Sequence, residues 1–275
     1  MKLELRGVSA RHPAAPRGSA ALRGLDLCLA AGEQVAVIGP SGAGKTTLLQ
    51  VAAAALKPEA GGLALDGADP WALGAAALRR LRGRLFLAPQ AAPLPPRQRV
   101  VTAVLAGCLP GWSLGRSLLS LFYPQDIPGA RAALARFDLA DKLFSRVDRL
   151  SGGERQRVGL ARAFVAPARL WLIDEPLSAL DPTRSRQAVQ ALTATARERG
   201  ITLMATMHQV DVALAHFPRI VGLRDGALAF DLPAAEVTET VLAALYARHE
   251  HERTQMPADD GPPPAEPPAV LMQCR

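Results

Sequence analysis

The amino-acid sequence predicts an α/β fold, in which strands that alternate with helices form a parallel sheet and a mainly helical segment is inserted. Two observations lead to this prediction. Short apolar runs recur along the chain, and a glycine-rich phosphate-binding motif separates one of them from a helical stretch. The chain has 275 residues and is 49% hydrophobic. It can therefore bury a full core as one domain or as a domain with a subdomain.

The predicted strands are short runs of alternating or continuous apolar residues. They cover residues 2–8, 25–30, 34–38, 84–88, 169–173, 201–206, 219–223 and 227–230. Asp225 and Gly226 separate the last two runs and predict a hairpin turn. Between residues 91 and 150, prolines are followed by helical stretches at 128–137 and 141–144, which indicates the insertion.

A phosphate-binding loop follows the strand at residues 34–38. It satisfies the pattern G-x-x-x-x-G-K-[ST], and the helix predicted at residues 46–56 adds its positive dipole end to the anion site. Lys45 can reach the β- and γ-phosphates, and the hydroxyl of Thr46 can ligate Mg²⁺. The residues predicted to bind the nucleotide are Gly39, Pro40, Ser41, Gly42, Ala43, Gly44, Lys45, Thr46 and Thr47.

A second anion site is predicted where a helix begins at Ser151. Ser151 and Glu154 have the spacing of a capping box, and Gly152 and Gly153 leave the first turn free of bulky side chains. The helix is expected to run to about Val165. Its exposed N–H groups and the serine hydroxyl can bind an anion without a lysine.

Acidic residues follow the predicted strand at 169–173. Asp174 is placed to hold Mg²⁺ through its water shell, and Glu175 can polarise an attacking water as a general base. His208 follows the strand at 201–206 and is predicted to contact the γ-phosphate, because ligands collect at the carboxyl ends of strands in α/β folds.

Composition limits the classes of partner. The net charge is +7, but the arginines are scattered and aromatic residues make up only 4%, which does not favour single-stranded nucleic acid. A biased genome composition or a basic face near anionic lipid would explain the same charge. Cys28, Cys108 and Cys274 have no metal or redox spacing, so reduced thiols are expected. Residues 100–122 are too interrupted for a spanning helix, so a membrane role would come from a partner.

With these motifs in order, residues 1–248 resemble the ATP-binding subunit of an ABC transporter. The phosphate loop, the glutamine loop (Gln90), the strand that ends in Asp174 and Glu175, and His208 match that family. So do the signature motif, Leu150, Ser151, Gly152, Gly153 and Glu154, and the D-loop, which includes Ser178 and Asp181. The resemblance implies ATP hydrolysis that depends on Mg²⁺, with Gln90 as a further metal ligand and as the link between the nucleotide and the helical insert.

The resemblance also implies an architecture and an assembly. The expected fold is a P-loop (RecA-like) core with an antiparallel β-subdomain and an inserted helical subdomain at about residues 95–165. Two copies would form a head-to-tail homodimer, with each ATP between the phosphate loop of one and the signature motif of the other. The dimer would lie peripherally on the cytoplasmic face of the cell inner membrane. There it would work with an integral-membrane permease and, indirectly, a periplasmic substrate-binding protein.

Within the family, the chain is most similar to the ATPase of phosphonate importers. The similar segments are Trp112 with residues 116–119 and 121–122 in the insert, residues 208–211, and residues 222–226. Pro95-Pro96 and Cys108-Leu109-Pro110 depart from that pattern. An importer of another oxyanion or small solute is the alternative.

His12 occupies the place where relatives have an aromatic residue that stacks on adenine, so weaker or less base-selective nucleotide binding is expected. Two nucleic-acid-associated classes of ABC ATPase are disfavoured. Chromosome-maintenance proteins need coiled-coil arms, and ribosome-associated proteins usually carry two cassettes, whereas this sequence has no sustained heptads and one motif set. Residues 249–275 are polar and rich in proline and are predicted to be a disordered tail.

Overall fold

The computed structural model describes residues 1–12, 20–178 and 180–255. Within these residues the strands form one sheet of six and one of three. The strands are β1 (Leu3–Ala10), β2 (Leu22–Leu29), β3 (Gln34–Ile38), β4 (Ala60–Leu65), β5 (Leu85–Ala88), β6 (Leu170–Asp174), β7 (Thr202–Thr206), β8 (Arg219–Arg224) and β9 (Ala227–Pro233).

The larger sheet has the strand order β5-β6-β7-β3-β8-β9. Its first five strands are parallel, and β9 joins β8 as an antiparallel hairpin, so the predicted parallel sheet and the predicted hairpin are confirmed. Asp225 and Gly226 form the turn, and both have positive φ angles, of 52° and 78°. The order brings the carboxyl ends of β3, β6 and β7 to one edge, where the predicted site residues follow.

The smaller sheet is antiparallel and has the order β2-β1-β4. Its central strand, β1, pairs Leu3 with Leu29 of β2 and with Leu65 of β4. This sheet matches the antiparallel part that the resemblance implied. Strand β4 was not predicted, because only its second half carries the alternating apolar residues that mark a strand, and its first half is Ala-Gly-Gly.

The helices of the described residues cover the parallel sheet and form the segment between β5 and β6. They are α1 (Lys45–Ala52), α2 (Ala75–Arg82), α3 (Val100–Leu105), α4 (Leu114–Phe122), α5 (Ile127–Ala135), α6 (Gly152–Val165), α7 (Pro182–Glu198), α8 (Val210–His216) and α9 (Glu239–Gln255). Helices α3 to α6 follow one another without an intervening strand, as predicted for the insertion.

Two predicted helices differ from the structure. The helix predicted at residues 46–56 ends at Ala52, because Ala54 has φ +51°, a left-handed conformation that cannot continue a right-handed helix. The carbonyl of Ala54 instead accepts a hydrogen bond from Arg82 Nη2 at 2.7 Å. The helix predicted at residues 141–144 is only a 3₁₀ turn at Ala140–Lys142, since the segment is too short to nucleate a stable α-helix.

The hydrophobic core has two parts, one on each face of the parallel sheet. Strand β3 shows the division, because Val35 and Val37 face the part that includes α1 and the antiparallel sheet. Ala36 and Ile38 face the part that includes α6, α7 and α8. All four side chains are fully buried. Burial on both faces explains why this strand reads as a continuous apolar run.

On helix α4 the large apolar side chains are exposed and a serine is buried, which is the reverse of the usual pattern for a helix in contact with water. Leu114 and Phe122 are 78% and 81% exposed, and Leu118 and Leu119 are also exposed. The serines point the other way: Ser120 is buried, and its hydroxyl donates to the carbonyl oxygen of Ser117 at 2.7 Å. An apolar patch of this kind marks a surface that another molecule covers.

No helix among the described residues is long and apolar enough to cross a bilayer. The tail predicted to be disordered covers residues 249–275. The structure places residues 249–255 in α9, and residues 256–275 lie outside the described residues.

Candidate functional site

A cleft of about 740 Å³ opens at the carboxyl edge of the parallel sheet. Its walls come from four parts of the chain: the phosphate loop, the residues around His12, the turn of the β8–β9 hairpin, and the ends of β6 and β7. The phosphate-loop residues that line it are Pro40, Ser41, Gly42, Ala43, Gly44, Lys45, Thr46 and Thr47. Glu175 and His208 lie at the same cleft, so the structure brings these predicted residues together.

Two glycines of the phosphate loop cannot be replaced by another residue without a steric clash. Gly39 has φ +153°, and a Cβ at this position would lie 2.1 Å from the carbonyl oxygen of Leu223. Gly44 has φ +99°, and its Cβ would lie 2.2 Å from the carbonyl oxygen of Ala21. The loop is therefore packed tightly against β8 and against the segment before β2. Only glycine permits both the backbone conformation and this close approach.

Lys45 begins α1 and folds back over the loop. Its ammonium donates to the carbonyl oxygens of Gly39 at 2.7 Å and Pro40 at 3.0 Å. Burial lowers the pKa of Lys45, and the nearby carboxylates of Glu175 and Asp174 partly offset this shift. An anion in the loop would favour the charged ammonium, since it adds an opposite charge at short range.

Asp174 and Thr206 form a pair across the neighbouring strands β6 and β7, where they are directly in register. The hydroxyl of Thr206 donates to Asp174 Oδ1 at 2.7 Å. This bond fixes a buried carboxylate and leaves its second oxygen available. Thr46, whose side chain is exposed at the start of α1, supplies a hydroxyl on the other side of the cleft.

The predicted magnesium ligands fit the ion by their chemistry. The hydroxyl of Thr46, the carboxylate of Asp174 and the amide oxygen of Gln90 are hard oxygen donors, which Mg²⁺ prefers. Gln90 uses its amide nitrogen elsewhere, as a donor to Glu175, so its oxygen is left for a metal or its water.

Glu175 stands in a strained backbone conformation, with φ +46°. Two contacts hold it there: its N–H donates to Thr206 Oγ1 at 2.9 Å, and its carbonyl accepts from Gln156 Nε2 at 3.3 Å. Non-glycine residues with positive φ cluster at functional sites, where the surrounding structure enforces them. The strain directs the carboxylate out of the strand and towards the cleft.

The carboxylate of Glu175 is held from two sides. Gln90 Nε2 donates to its Oε2 at 2.7 Å, and His208 Nε2 contacts its Oε1. Gln90 follows β5, Glu175 follows β6 and His208 follows β7, so three adjacent strands each contribute one group. All three residues predicted to be catalytic therefore meet at one point.

The signature motif lies outside this cleft. Helix α6 begins as predicted, with a complete capping box in which Ser151 Oγ accepts from the Glu154 N–H at 3.2 Å and Glu154 Oε2 accepts from the Ser151 N–H at 2.7 Å. Ser151 and Gly152 are exposed, whereas Leu150 is 5% exposed and packs in the core. The surface available for an anion is thus formed by Ser151, Gly152 and Gly153.

The two D-loop residues have different surroundings. Ser178 lines a smaller cleft of about 140 Å³ next to Glu175 and His208. Asp181 caps α7 by accepting a hydrogen bond from the Arg184 N–H at 3.0 Å. Asp181 therefore has a structural role in addition to the role that the resemblance implies.

The base end of the cleft is lined by His12, Arg23, Arg224 and the hairpin turn. His12 therefore lies at the cleft, and its contact with the base stays a prediction. Helix α9 also reaches this site, which was not predicted: Leu245 lines the cleft and is almost fully buried. Arg224 Nη1 donates to the carbonyl of Ala244 at 2.6 Å and ties the helix to β8.

Tyr246 continues this contact from α9 to the phosphate loop. Burial raises the pKa of Tyr246, and the backbone of Gly39 near its hydroxyl partly opposes that shift. No motif marks α9, so the only available signal was Leu245-Tyr246, an apolar and aromatic pair between polar residues shortly before the predicted tail.

Comparison with known proteins gives the family. The sequence profile of the ABC transporter family matches residues 22–178. The chain is 64% identical to the phosphonates import ATP-binding protein PhnC 2 of Albidiferax ferrireducens, over the full length of both chains. It is 66% identical to the phosphonates import ATP-binding protein PhnC of a Polaromonas species, again over the full length of both.

Solved structures agree with this assignment. An ATP-binding cassette determined as a dimer in a post-hydrolysis state with ADP and Pi is 25% identical, with a TM-score of 0.73, and the match covers 84% of this chain and 98% of that one. A dimeric bacterial ABC transporter cassette gives a TM-score of 0.72 with the same coverage. The fold predicted from the resemblance, a P-loop core with an antiparallel sheet and a helical insert, is confirmed. The chain belongs to the ABC transporter family, of which it is an ATP-binding cassette.

Proposed function

We propose that the chain is the ATP-hydrolysing subunit of an importer that takes up phosphonates through a partner permease. The observation that carries the proposal is the combination of a complete hydrolytic site with full-length identity of 64% and 66% to two proteins named for phosphonate import. The matched region includes the helical insert, where an importer would recognise its own permease.

The hydrolytic step is proposed to rest on Glu175. Its carboxylate accepts the proton of the attacking water, while Gln90 and His208, which already contact its two oxygens, keep it aimed into the cleft. Lys45 and the N–H groups of the phosphate loop bind the phosphates. Thr46, Asp174 and Gln90 would hold Mg²⁺, which would neutralise phosphate charge.

One copy of the chain contains an incomplete site, which supports a homodimer. The exposed helix start at Ser151–Gly153 is a ready anion site, yet none of its residues lines the cleft of its own chain. In a head-to-tail dimer it would face the γ-phosphate bound by the partner copy. The two cassettes that are similar in fold were determined as dimers, in agreement with this arrangement.

The apolar face of the helical insert supports a membrane partner. Leu114, Leu118, Leu119 and Phe122 form an exposed stripe on α4 that water solvates poorly. A permease would cover this stripe and hold the dimer peripherally on the cytoplasmic face of the inner membrane. The periplasmic binding protein would act from the other side, through the permease.

ATPase assays on the assembled transporter test the proposal. The dimer with its permease in lipid nanodiscs should hydrolyse ATP faster when a substrate-binding protein loaded with a phosphonate is added than when the unloaded protein is added. Stimulation by another loaded oxyanion but by no phosphonate would refute the substrate. Absence of hydrolysis under all conditions would refute the ATPase function itself.

A further inference from the structure

The base end of the nucleotide cleft offers little surface for stacking. At this end, the imidazole of His12 is the only aromatic group among the described residues that line the cleft, and Ala20 and Ala21, which also line it, are small. Stacking is the contact that any nucleobase can make, because every base has a flat π-face. A nucleotide held in this cleft would therefore need a further flat group beside its base.

Arg23 lies at this end and carries a flat cation. It is the second residue of β2, its side chain is exposed, and it lines the cleft. Within the described part of the chain, no group accepts a hydrogen bond from its guanidinium and no carboxylate pairs with it. Even Asp225, which lines the same cleft, forms no ion pair with it. The guanidinium is therefore available to a ligand.

The backbone of Arg23 is fixed relative to the phosphate loop. Its N–H donates to the carbonyl oxygen of Gly226 at 2.8 Å, and the N–H of Gly226 donates to the carbonyl oxygen of Ala43 at 3.2 Å. The preceding residue, Leu22, is fully buried and pairs with Ala10 of β1. Two hydrogen bonds thus link Arg23 to the phosphate loop, while its guanidinium stays unpaired. This combination positions the side chain for a ligand without occupying it.

We propose that Arg23 is a nucleotide-binding residue whose guanidinium stacks on the face of the purine base of ATP. The inference deepens the proposed function and rests on it, since it requires ATP in the cleft. A guanidinium is planar and packs on aromatic faces, where the π-electrons attract its charge. The chain already contains one such contact, because the guanidinium carbon of Arg116 lies 4.7 Å from the ring centre of Trp112. Arg23 would thus add the stacking surface that His12 alone lacks.

A phosphate contact is the rival role for Arg23, because arginine also binds phosphate oxygens. Its position in the cleft favours the base. Arg23 shares its end of the cleft with His12, whereas the phosphate loop has its own cation in Lys45. The two roles differ in one property: a stacking contact needs the base, and a phosphate contact does not. Inorganic tripolyphosphate, which has the phosphates of ATP without the nucleoside, separates them.

Titration of the full chain with ATP and with tripolyphosphate is the test. Arg23→Ala should weaken ATP binding by about three- to tenfold, the range for one stacking contact at a partly exposed site. It should change tripolyphosphate binding by less than about twofold, because salt screens a distant charge. Arg23→Tyr replaces the guanidinium with an aromatic ring and should restore ATP affinity to at least the wild-type value. Arg197→Ala is the matched control, because Arg197 is exposed in the last turn of α7 and does not line the cleft.

Steady-state hydrolysis and unfolding give two further readouts. The base takes no part in the reaction, so Arg23→Ala should raise KM for ATP more than it lowers kcat. The midpoint of urea unfolding should be the same for the variants and the wild type, since both substituted side chains are exposed. A lower midpoint for the Arg23→Ala protein would make the role of Arg23 structural and would overturn the inference.

Three binding results would also contradict the inference: unchanged ATP affinity of the Arg23→Ala protein, an equal loss of affinity for ATP and tripolyphosphate, or an Arg23→Tyr protein that binds ATP as weakly as the Arg23→Ala protein. A failure of the proposed function gives different results. A wild-type chain that neither binds nor hydrolyses ATP would remove both statements, whereas ATP hydrolysis without any stimulation by a phosphonate would remove the substrate of the importer alone.

Discussion

At the scale of single residues, Lys45 makes nucleotide binding dependent on pH. Burial lowers its pKa in the free protein, and bound phosphate should raise it again, because the anion favours the ammonium. The free protein thus loses this proton at a lower pH than the complex does. Affinity for ATP should fall as the pH rises through the pKa of free Lys45, with uptake of up to one proton on binding in that range.

Calorimetry in two alkaline buffers of different ionisation enthalpy measures this proton uptake. Lys45→Arg is the control, because a guanidinium stays charged throughout the range, so its binding should take up no proton through this position. Equal proton uptake by the Lys45→Arg protein would assign the linkage to another group.

The reactive residues could be predicted because their chemistry depends on spacing along the chain. Asp174 ends a strand, and Lys45, Glu175 and His208 follow one directly or through a short loop. Parallel strands bring their carboxyl ends together. The hydrogen bond of Thr206 to Asp174 could not be predicted. It depends on the register between β6 and β7, which no local pattern specifies.

At the scale of elements, Gly159 sets how closely α6 approaches the glutamine loop. Gly159→Ala should force the segment at Ala92 to move, because the two Cβ atoms would lie 2.5 Å apart. We expect a destabilisation of about 1–3 kcal/mol and slower hydrolysis, since Gln90 would move with its segment. Gly115→Ala in α4, where an added Cβ meets nothing within 4 Å, is the matched control.

Urea unfolding measures the stability of both glycine variants, and phosphate release measures their rate of ATP hydrolysis. If the Gly159→Ala protein is as stable and as active as the Gly115→Ala protein, the close contact between α6 and the loop contributes to neither stability nor hydrolysis.

Helix α9 contributes to the nucleotide site through Tyr246. Tyr246→Phe removes a hydroxyl that lies near the backbone of Gly39, the first glycine of the loop that Lys45 also contacts. We expect ATP affinity to fall about two- to tenfold, the range for loss of one polar contact at a partly buried side chain. Tyr123→Phe should have no effect, because Tyr123 is 73% exposed. Nucleotide titrations measure the ATP affinity of both proteins. Equal affinities would show that Tyr246 of α9 does not contribute to nucleotide binding.

Elements with strong local signals were predicted well, and those without were not. The helix at Gly152–Val165 carries its own start signal in the capping box, and its predicted end was correct. The end of α1 was wrong, because a left-handed alanine stops it rather than a glycine or proline. Strand β4 depends on pairing with β1, and α9 depends on packing against β8, so both are set by tertiary contacts.

At the scale of the whole molecule, ATP should hold two copies together when hydrolysis is blocked. Glu175→Gln keeps the shape of the side chain but removes the base, so hydrolysis should fall by about a hundredfold or more. With saturating ATP and Mg²⁺ the Glu175→Gln protein should elute as a dimer in size-exclusion chromatography. A monomer under these conditions would exclude the head-to-tail arrangement.

A second substitution tests which surface forms that dimer. Gly152 is exposed, and an added Cβ there meets nothing within 4 Å in its own chain. The double variant Glu175→Gln with Gly152→Phe should therefore bind ATP as a folded monomer. A persistent dimer would show that the start of α6 does not face the partner copy.

The family could be predicted from the order of the motifs, and the same motifs predict a dimer, but the surroundings of some residues of the insert could not be predicted. The pattern around Ser151 predicts an anion site that its own chain does not complete, and this points to a second copy. Arg162, by contrast, looks like any other arginine of a helix in the sequence. The fold shows that its Nε is buried beside a mostly apolar cleft, without a hydrogen-bond partner among the described residues.

The outward-facing leucines of α4 also bear on how much of this protein a cell retains. Under the proposed function, a copy without its permease exposes Leu114, Leu118 and Phe122 to solvent, and such side chains attract chaperones and proteases. Subunits made in excess should then be degraded faster than assembled ones, so the amount of permease would determine how much of the ATPase subunit is retained. Pulse-chase labelling should show a longer half-life of the ATPase subunit when the permease is co-expressed. Equal half-lives with and without the permease would contradict this expectation.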